Sequence, residues 1–225
     1  MKRITVLLAE DHMIVREGFR RLLEAEDDLE VVGEAQTGRE AVALARKLRP
    51  AVVVMDIAMP LLNGLEASRQ IRKAAPDTKV LILSAHSDDA YVEHATESGA
   101  AGFLLKQTSS RDLSRAIRKV QKGNTFFSPS IDKRLRNHSL RSPNGSALLK
   151  KKITRLSSRE MEVLQLIAEG KANKQVAAEL GISIKTVEKH RQSLMAKLNI
   201  HEISGLTRYA IAAGIVESSV QLTIR

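Results

Sequence analysis

Five polar residues stand where apolar runs of the chain end. Glu10 and Asp11 follow the run that starts at Ile4, and Asp56 follows Val52-Val53-Val54-Met55. Ser84 follows Val80-Leu81-Ile82-Leu83, and Lys106 follows Phe103-Leu104-Leu105. If each run is a strand of one parallel sheet, all five groups reach the same edge, the one at which open α/β sheets bind ligands. One such Asp alone reads as a turn residue or a helix cap; the joint placement asks for chemistry. Crowded carboxylates repel, and a divalent cation with oxygen ligands, Mg²⁺, relieves that repulsion. Asp56 can then act as a nucleophile toward phosphorus and form an acyl phosphate. Lys106 would neutralise charge on the phosphoryl oxygens while the Ser84 hydroxyl donates to them. No glycine-rich phosphate cradle accompanies the set, which argues against a nucleotide as donor.

The elements that must position these groups are legible from two alternating periods. Apolar, β-branched runs predict strands at 4–9, 29–34, 51–57, 79–85 and 102–105, and the stretches between and after them predict helices at 12–25, 38–48, 65–74, 88–98 and 109–122. Continuous rather than alternating apolar runs suit strands covered on both faces. Five strands interleaved with five helices imply a doubly wound α/β domain with a five-stranded parallel sheet, over residues 1–125. Ser-, Pro- and Lys-rich text over 126–152 reads as a basic linker. Residues 153–225 carry only helical patterns and form a second, smaller, all-α domain.

Composition narrows the function classes. A chain of 225 residues has room for two small domains. The absence of cysteine excludes disulfides, thiolate zinc sites and cysteine nucleophiles. Apolar runs are too short to cross a bilayer, and Glu10-Asp11 interrupts the start before a signal-peptide core can form. The expected place is the cytoplasm, with no membrane partner. The net charge of +10 is lopsided: 19 Lys and Arg face 18 Asp and Glu up to Thr125, whereas 17 face 8 beyond it. A polyanion partner therefore belongs to the C-terminal part. With 3% aromatic residues and no Trp, base-stacking recognition of single strands is disfavoured.

The C-terminal pattern is specific. Ser157-Ser158-Arg159-Glu160 fits a capping box that opens a helix to Glu169. A second helix, 173–180, closes at Gly181; Ser183 caps a third, to Leu198, and 202–213 forms a fourth. Two helices joined by Leu180-Gly181-Ile182-Ser183 make a helix-turn-helix. In the third helix Val187, Leu194 and Leu198 set a buried face. Lys185, Glu188, Lys189 and Gln192 share another and offer groups matched to guanine, cytosine and adenine edges.

At these residues two resemblances become plain. The chain from Ile4 to Gln121 resembles the receiver domain of two-component response regulators, on Leu8-Ala9-Glu10-Asp11-His12, Val54-Met55-Asp56-Ile57-Ala58-Met59-Pro60, Asn63-Gly64, Leu83-Ser84-Ala85 and Gly102-Phe103-Leu104-Leu105-Lys106. That resemblance implies that Asp56 accepts phosphate from a sensor histidine kinase. It also implies that Asp11, Asp56 and the backbone carbonyl of Ala58 hold Mg²⁺, with Glu10 acting through water. Phe103 occupies the position of the family's switch aromatic. Phosphate, at roughly −1.5 to −2 of charge, would draw Ser84 and Lys106 inward and let Phe103 fill the vacated space. Leu61 departs from the small residue that often follows Met-Pro. Residues 156–214 resemble the LuxR-type DNA-binding domain, on Leu164-Gln165-Leu166-Ile167-Ala168-Glu169-Gly170, Asn173-Lys174, Ala177-Ala178-Glu179-Leu180-Gly181-Ile182-Ser183, Lys185-Thr186-Val187, His190-Arg191 and Lys197-Leu198. By that resemblance Glu188, Lys189 and Gln192 face bases of double-stranded DNA. Lys174, Lys185, Thr186, His190, Arg191 and Lys197 would touch phosphates. Leu206, Ala210 and Ile211 would pair two copies as a homodimer.

The combination is that of a NarL/FixJ-type response regulator, a phosphorylation-controlled transcription regulator rather than an enzyme. Haloacid-dehalogenase-type phosphatases also use a strand-end Asp, but need a second acid two residues later, where this chain has Ala58. The alternative is a phosphorylation-independent DNA binder that uses the receiver only to dimerise.

Overall fold

The computed structural model describes residues 3–85, 89–128, 131 and 156–216. It divides into two compact units, one holding all the strands and the other the four C-terminal helices. The first unit runs β1 (Ile4–Ala9), α1 (Met13–Glu24), β2 (Leu29–Ala35), α2 (Gly38–Leu48), β3 (Val52–Asp56), α3 (Gly64–Ala74), β4 (Lys79–Ser84), α4 (Asp89–Ser98), β5 (Gly102–Leu105), α5 (Ser110–Gln121) and β6 (Phe126–Phe127). The strands form one sheet in the order β2-β1-β3-β4-β5-β6, every pair parallel. Strand order reverses between β1 and β3, which opens a crevice at their carboxyl ends.

The alternation of side chains along each strand builds two cores. Leu7, Val53, Met55, Ile82 and Phe103 face one way and meet Ala41 and Ala45 of α2, Ile71 of α3 and Val92 and Ala95 of α4. Val6, Leu8, Val52, Val54, Leu81, Leu83 and Leu104 face the other way, against Leu23 of α1 and Leu113, Ala116, Ile117 and Val120 of α5. Both faces are covered, and the runs are accordingly continuous.

The fold class is as the sequence implies, with one correction: the sheet has six strands, not five. Phe126 and Phe127 pair with Gly102 and Phe103, just past the expected boundary at 125. Two residues are too few to display a period. Hydrogen bonds from Phe126 N to Ala101 O (3.1 Å) and from Ser128 N to Phe103 O (3.3 Å) fix the strand, and Lys119 of α5 lies 5.5 Å over the Phe126 ring. The rest of the expected linker, apart from Ser128 and Ile131, lies outside the described residues.

The second unit comprises α6 (Ser158–Ala168), α7 (Asn173–Leu180), α8 (Ile184–Leu198) and α9 (Ile203–Ala212). The capping box is present: Glu160 N donates to Ser157 Oγ (3.3 Å) and Ser157 N to Glu160 Oε2 (2.7 Å). Gly181 closes α7 at φ +61°, a left-handed conformation that a glycine adopts without penalty. Ser183 then caps α8 by accepting from Thr186 N. Val163, Leu164, Leu166, Val176, Val187, Leu194, Leu198, Leu206 and Ala210 make the core. Among the described residues no helix is long and apolar enough to cross a membrane.

Candidate functional site

The carboxyl edge of the sheet brings the predicted acids and ammonium together. Asp56 is the last residue of β3 and only 2% exposed; Glu10, the first residue after β1, is 3% exposed. Lys106 reaches across from the end of β5. Its Nζ lies 3.0 Å from Asp56 Oδ2 and 2.8 Å from Glu10 Oε2, and donates to Glu10 Oε1 at 3.0 Å. The other Asp56 oxygen, Oδ1, accepts from Ile57 N at 2.8 Å. Burial, then the neighbouring Glu10 charge, pushes the Asp56 carboxyl up to about 6, against the pull of Lys106. Burial also works against the charge on Lys106, but Asp56 and Glu10 outweigh it and hold the ammonium above its ordinary range.

The loop after β3 is shaped by its contacts with Asp56. Gly64 N donates to Ile57 O at 2.9 Å. A Cβ on Gly64 would stand 1.9 Å from the Asp56 carbonyl oxygen, so only glycine lets α3 begin there. Asn63 caps α3 by accepting from Glu66 N. This explains Asn63-Gly64 physically. Leu61 takes φ +67°, and its left-handed backbone is a strained state for a branched side chain.

Glu10 Oε2 and Asp56 Oδ2 are buried oxygens at ion-pair distance from Lys106, and Asp11 Oδ1 is buried beside His12. Glu10 and Asp56 share one ammonium, and with Asp11 beside them they form an oxygen donor set that fits a hard divalent cation. Glu10, Asp11 and His12 offer ligand atoms within 4.8 Å of one another.

Ser84 and Phe103 stand on the neighbouring strands, Ser84 buried at the end of β4 and Phe103 fully buried in β5. Lys106 stands at ion-pair distance from Asp56, and the Phe103 ring lies within the core of the sheet.

Sequence reasoning missed two neighbours. His12 Nδ1 lies 2.8 Å from Asp11 Oδ1, and Asp11 is the main cause that holds the imidazole above its ordinary value. Arg16 donates to the Glu10 carbonyl oxygen at 2.7 Å. A signal for Arg16 existed: it stands on the core-facing stripe of α1 with Phe19 and Leu23, where a cation is out of pattern.

In the second unit Lys185, Glu188, Lys189 and Gln192 are all exposed on one side of α8, and with Ser183 and Thr186 they line one surface concavity. Lys174 is exposed, whereas Thr186, His190 and Arg191 are half-buried. Lys197 forms an ion pair within its own unit. Its Nζ donates to Glu160 Oε2 at 2.7 Å, so it binds α8 to α6. The expected pairing stripe of α9 departs at two of its three residues. Leu206 and Ala210 are fully buried in their own unit, and the exposed apolar residues of α9 are Ile203 (50%) and Ile211 (38%).

Residues 6–118 match the response regulator receiver domain family, and residues 154–210 match the luxR family of bacterial regulatory proteins. The chain belongs to the NarL/LuxR-type response regulators. The response regulator VraR of Staphylococcus aureus is 36% identical over 214 residues, covering 95% of this chain and 99% of VraR. The RcsB response regulator of Salmonella typhimurium, solved in a study of its interaction with DNA, superposes with a TM-score of 0.62 at 29% identity, covering 95% of this chain and 99% of that one. An RcsB–DNA complex superposes with a TM-score of 0.55 at 30% identity, covering 92% and 98%. In this response regulator the acid pocket belongs to the receiver domain, and the α7–α8 turn belongs to the luxR-family domain.

Proposed function

We propose that Asp56 is the phosphate acceptor of this response regulator, that a sensor histidine kinase is the donor, and that the phosphorylated chain binds double-stranded DNA through α8 to regulate transcription in the cytoplasm. The observation that carries the reading is the convergence of Glu10, Asp56 and Lys106 on one buried pocket at the edge of the sheet.

Asp56 Oδ1 is held by the Ile57 amide, which leaves Oδ2 to attack phosphorus. The new bond joins Oδ2 to phosphorus while the bond from phosphorus to the donor's imidazole nitrogen breaks, and the donor imidazole, already protonated on its other nitrogen, leaves as neutral histidine. Asp11, Asp56 and the Ala58 carbonyl would hold Mg²⁺, with Glu10 acting through water. When bound, the cation supplies charge neutralisation at the phosphoryl oxygens. Lys106 adds its own positive charge at Oδ2, and Ser84 supplies a hydroxyl from the adjacent strand.

The output route starts at β5. Phe103 lies in the same core cluster as Ile131, which is 1% exposed, and Phe127 packs against that cluster. β6 hydrogen-bonds directly to β5. A shift of β5 therefore acts first on the segment that continues toward the DNA-binding domain.

On DNA, Glu188, Lys189 and Gln192 would read base edges, and Lys174, Lys185, Thr186, His190 and Arg191 would face phosphates. RcsB dimers have been solved on DNA, and the same arrangement here would be a homodimer across an inverted repeat. Ile203 and Ile211 are the exposed apolar residues of α9 left for pairing.

The direct test is treatment of the purified chain with acetyl phosphate and Mg²⁺, followed by mass spectrometry. One phosphoryl group on the peptide bearing Asp56, lost in Asp56→Asn, supports the reading; the same incorporation in Asp56→Asn contradicts it.

A further inference from the structure

Arg16 is 7% exposed, so its guanidinium sits beneath the pocket rather than in solvent. It makes two directed contacts. Nη1 donates to the Glu10 carbonyl oxygen at 2.7 Å, and Nε donates to Glu34 Oε2 at 2.9 Å. Glu34, on the edge strand β2, also accepts from Arg20 Nη1 at 2.6 Å, and Arg20 Nε reaches Glu24 at 2.8 Å. A chain of alternating charges, Glu24, Arg20, Glu34 and Arg16, thus ends on one backbone oxygen. That oxygen belongs to the peptide joining Glu10 to Asp11. The other side of Glu10 is fixed by its own N–H, which donates to Ala35 O at 3.0 Å.

The position matters because Glu10 and Asp11 leave the strand in the same turn. Rotation of their shared peptide would swing both carboxylates relative to Asp56. Repulsion between carboxylates favours that rotation, since Glu10 and Asp56 share a single ammonium and Asp11 follows Glu10 in the turn. A buried guanidinium clamps the peptide from below and places positive charge under the turn. Its planar fork serves two acceptors in different directions, which a lysine ammonium on a flexible stem does not reproduce.

We propose that Arg16, oriented by Glu34, is a positioning residue of the acid pocket: it sets the direction of the Glu10–Asp11 turn and thereby the affinity of the pocket for a divalent cation. The proposal rests on the reading of Asp56 as the phosphate acceptor. Arg16 and Glu34 act through Glu10 and Asp11 and are not themselves groups at the reacting atoms.

The test uses the full chain, with Mg²⁺ binding measured by calorimetry and phosphoryl incorporation from acetyl phosphate followed against Mg²⁺ concentration. Loss of the groups that orient metal ligands typically weakens metal binding by 10–100-fold, so Arg16→Lys is expected to raise the Mg²⁺ Kd roughly tenfold and Glu34→Gln about threefold. The Mg²⁺ concentration for half-maximal incorporation rises by the same factors, while the rate at saturating Mg²⁺ stays within about twofold of the parent. Glu34→Gln keeps a half-exposed edge-strand residue and serves if Arg16→Lys folds poorly. Unchanged Mg²⁺ affinity in Glu34→Gln and in folded Arg16→Lys overturns the proposal, whether or not melting temperature falls. A lower saturating rate at unchanged affinity overturns it equally. If the parent takes no phosphate on Asp56, the underlying reading fails, and that outcome is separate from any behaviour of the variants.

Discussion

Leu61 holds a left-handed backbone in the loop that follows Asp56. The penalty for an L-residue there is about 1–2 kcal/mol, and glycine's extra unfolded-state freedom costs about 0.5–1 kcal/mol. Leu61→Gly is therefore expected to stabilise the receiver by about 0.5 kcal/mol, read by urea unfolding. Gly64→Ala works in the opposite direction. The new methyl meets the Asp56 backbone, overpacking of this kind costs about 1–3 kcal/mol, and the displaced Asp56 slows phosphoryl incorporation. Tyr209 carries a buried hydroxyl with no hydrogen-bond partner among the described residues, and burial pushes its pKa up to about 12. Removing an unsatisfied buried hydroxyl is near neutral or favourable, so Tyr209→Phe should keep or raise the melting temperature of the C-terminal domain by an amount equivalent to about 1 kcal/mol or less. At this scale the sequence was legible wherever a polar residue ended an apolar run, which placed Glu10, Asp11, Asp56, Ser84 and Lys106. Arg16 shows in the sequence only as a cation out of pattern on an apolar stripe, and its contact with Glu34 not at all, because β2 lying near α1 is a long-range arrangement that spacing does not encode. The Lys197 contact was hidden for a related reason: a basic residue on α8 looks the same in sequence whether or not it meets Glu160.

The cap of α6 joins elements distant in sequence. Burial alone would raise the Glu160 pKa. Hydrogen bonds from Lys197, Ser193 and Ser157 outweigh that and hold it at about 2, against an ordinary 4.5. A depressed folded-state pKa gives stability that is fully present above the ordinary value and is lost as pH falls through the folded one. The unfolding free energy of the C-terminal domain should therefore be constant from neutral pH to about 4.5 and fall between there and about 2, read by urea unfolding against pH. Glu160→Gln should flatten that window and cost about 1.5–3 kcal/mol at pH 7, since it removes charge-assisted hydrogen bonds. The capping box was legible from Ser157 and Glu160 alone; the links to Ser193 and Lys197, 33 and 37 residues on, were not. β6 was missed for lack of length, yet it ties the linker's start to the Phe103 strand. Ile131→Val and Phe127→Ala should leave phosphate incorporation intact while reducing the phosphate-dependent gain in DNA affinity by about fivefold or more. Equal gains in variant and parent would remove β6 from the output route.

At the level of the whole molecule, charge asymmetry and the two element patterns were enough to separate an α/β half from a basic helical half. The expected pairing stripe was legible only at Ile211, because Leu206 and Ala210 have a helical spacing that suits a domain core as well as an interface. The structure puts them in the core and leaves Ile203 and Ile211 exposed. Basic residues now divide into two classes with different expected behaviour. Lys174→Ala should weaken duplex binding similarly for all sequences and lower the slope of log affinity against log salt by about 1. Lys197→Ala should instead lower the stability of the C-terminal domain. The central claim is that the charge state of Asp56 governs DNA binding, and a fluorescence-anisotropy titration tests it most directly. The probe is a duplex selected from a random pool by the acetyl-phosphate-treated chain, titrated at one fixed salt concentration with parent and Asp56→Asn, each with and without acetyl phosphate and Mg²⁺. The account predicts tighter binding by the treated parent and no response from Asp56→Asn. Equal affinity of the treated and untreated parent, or the same gain in Asp56→Asn, would contradict it.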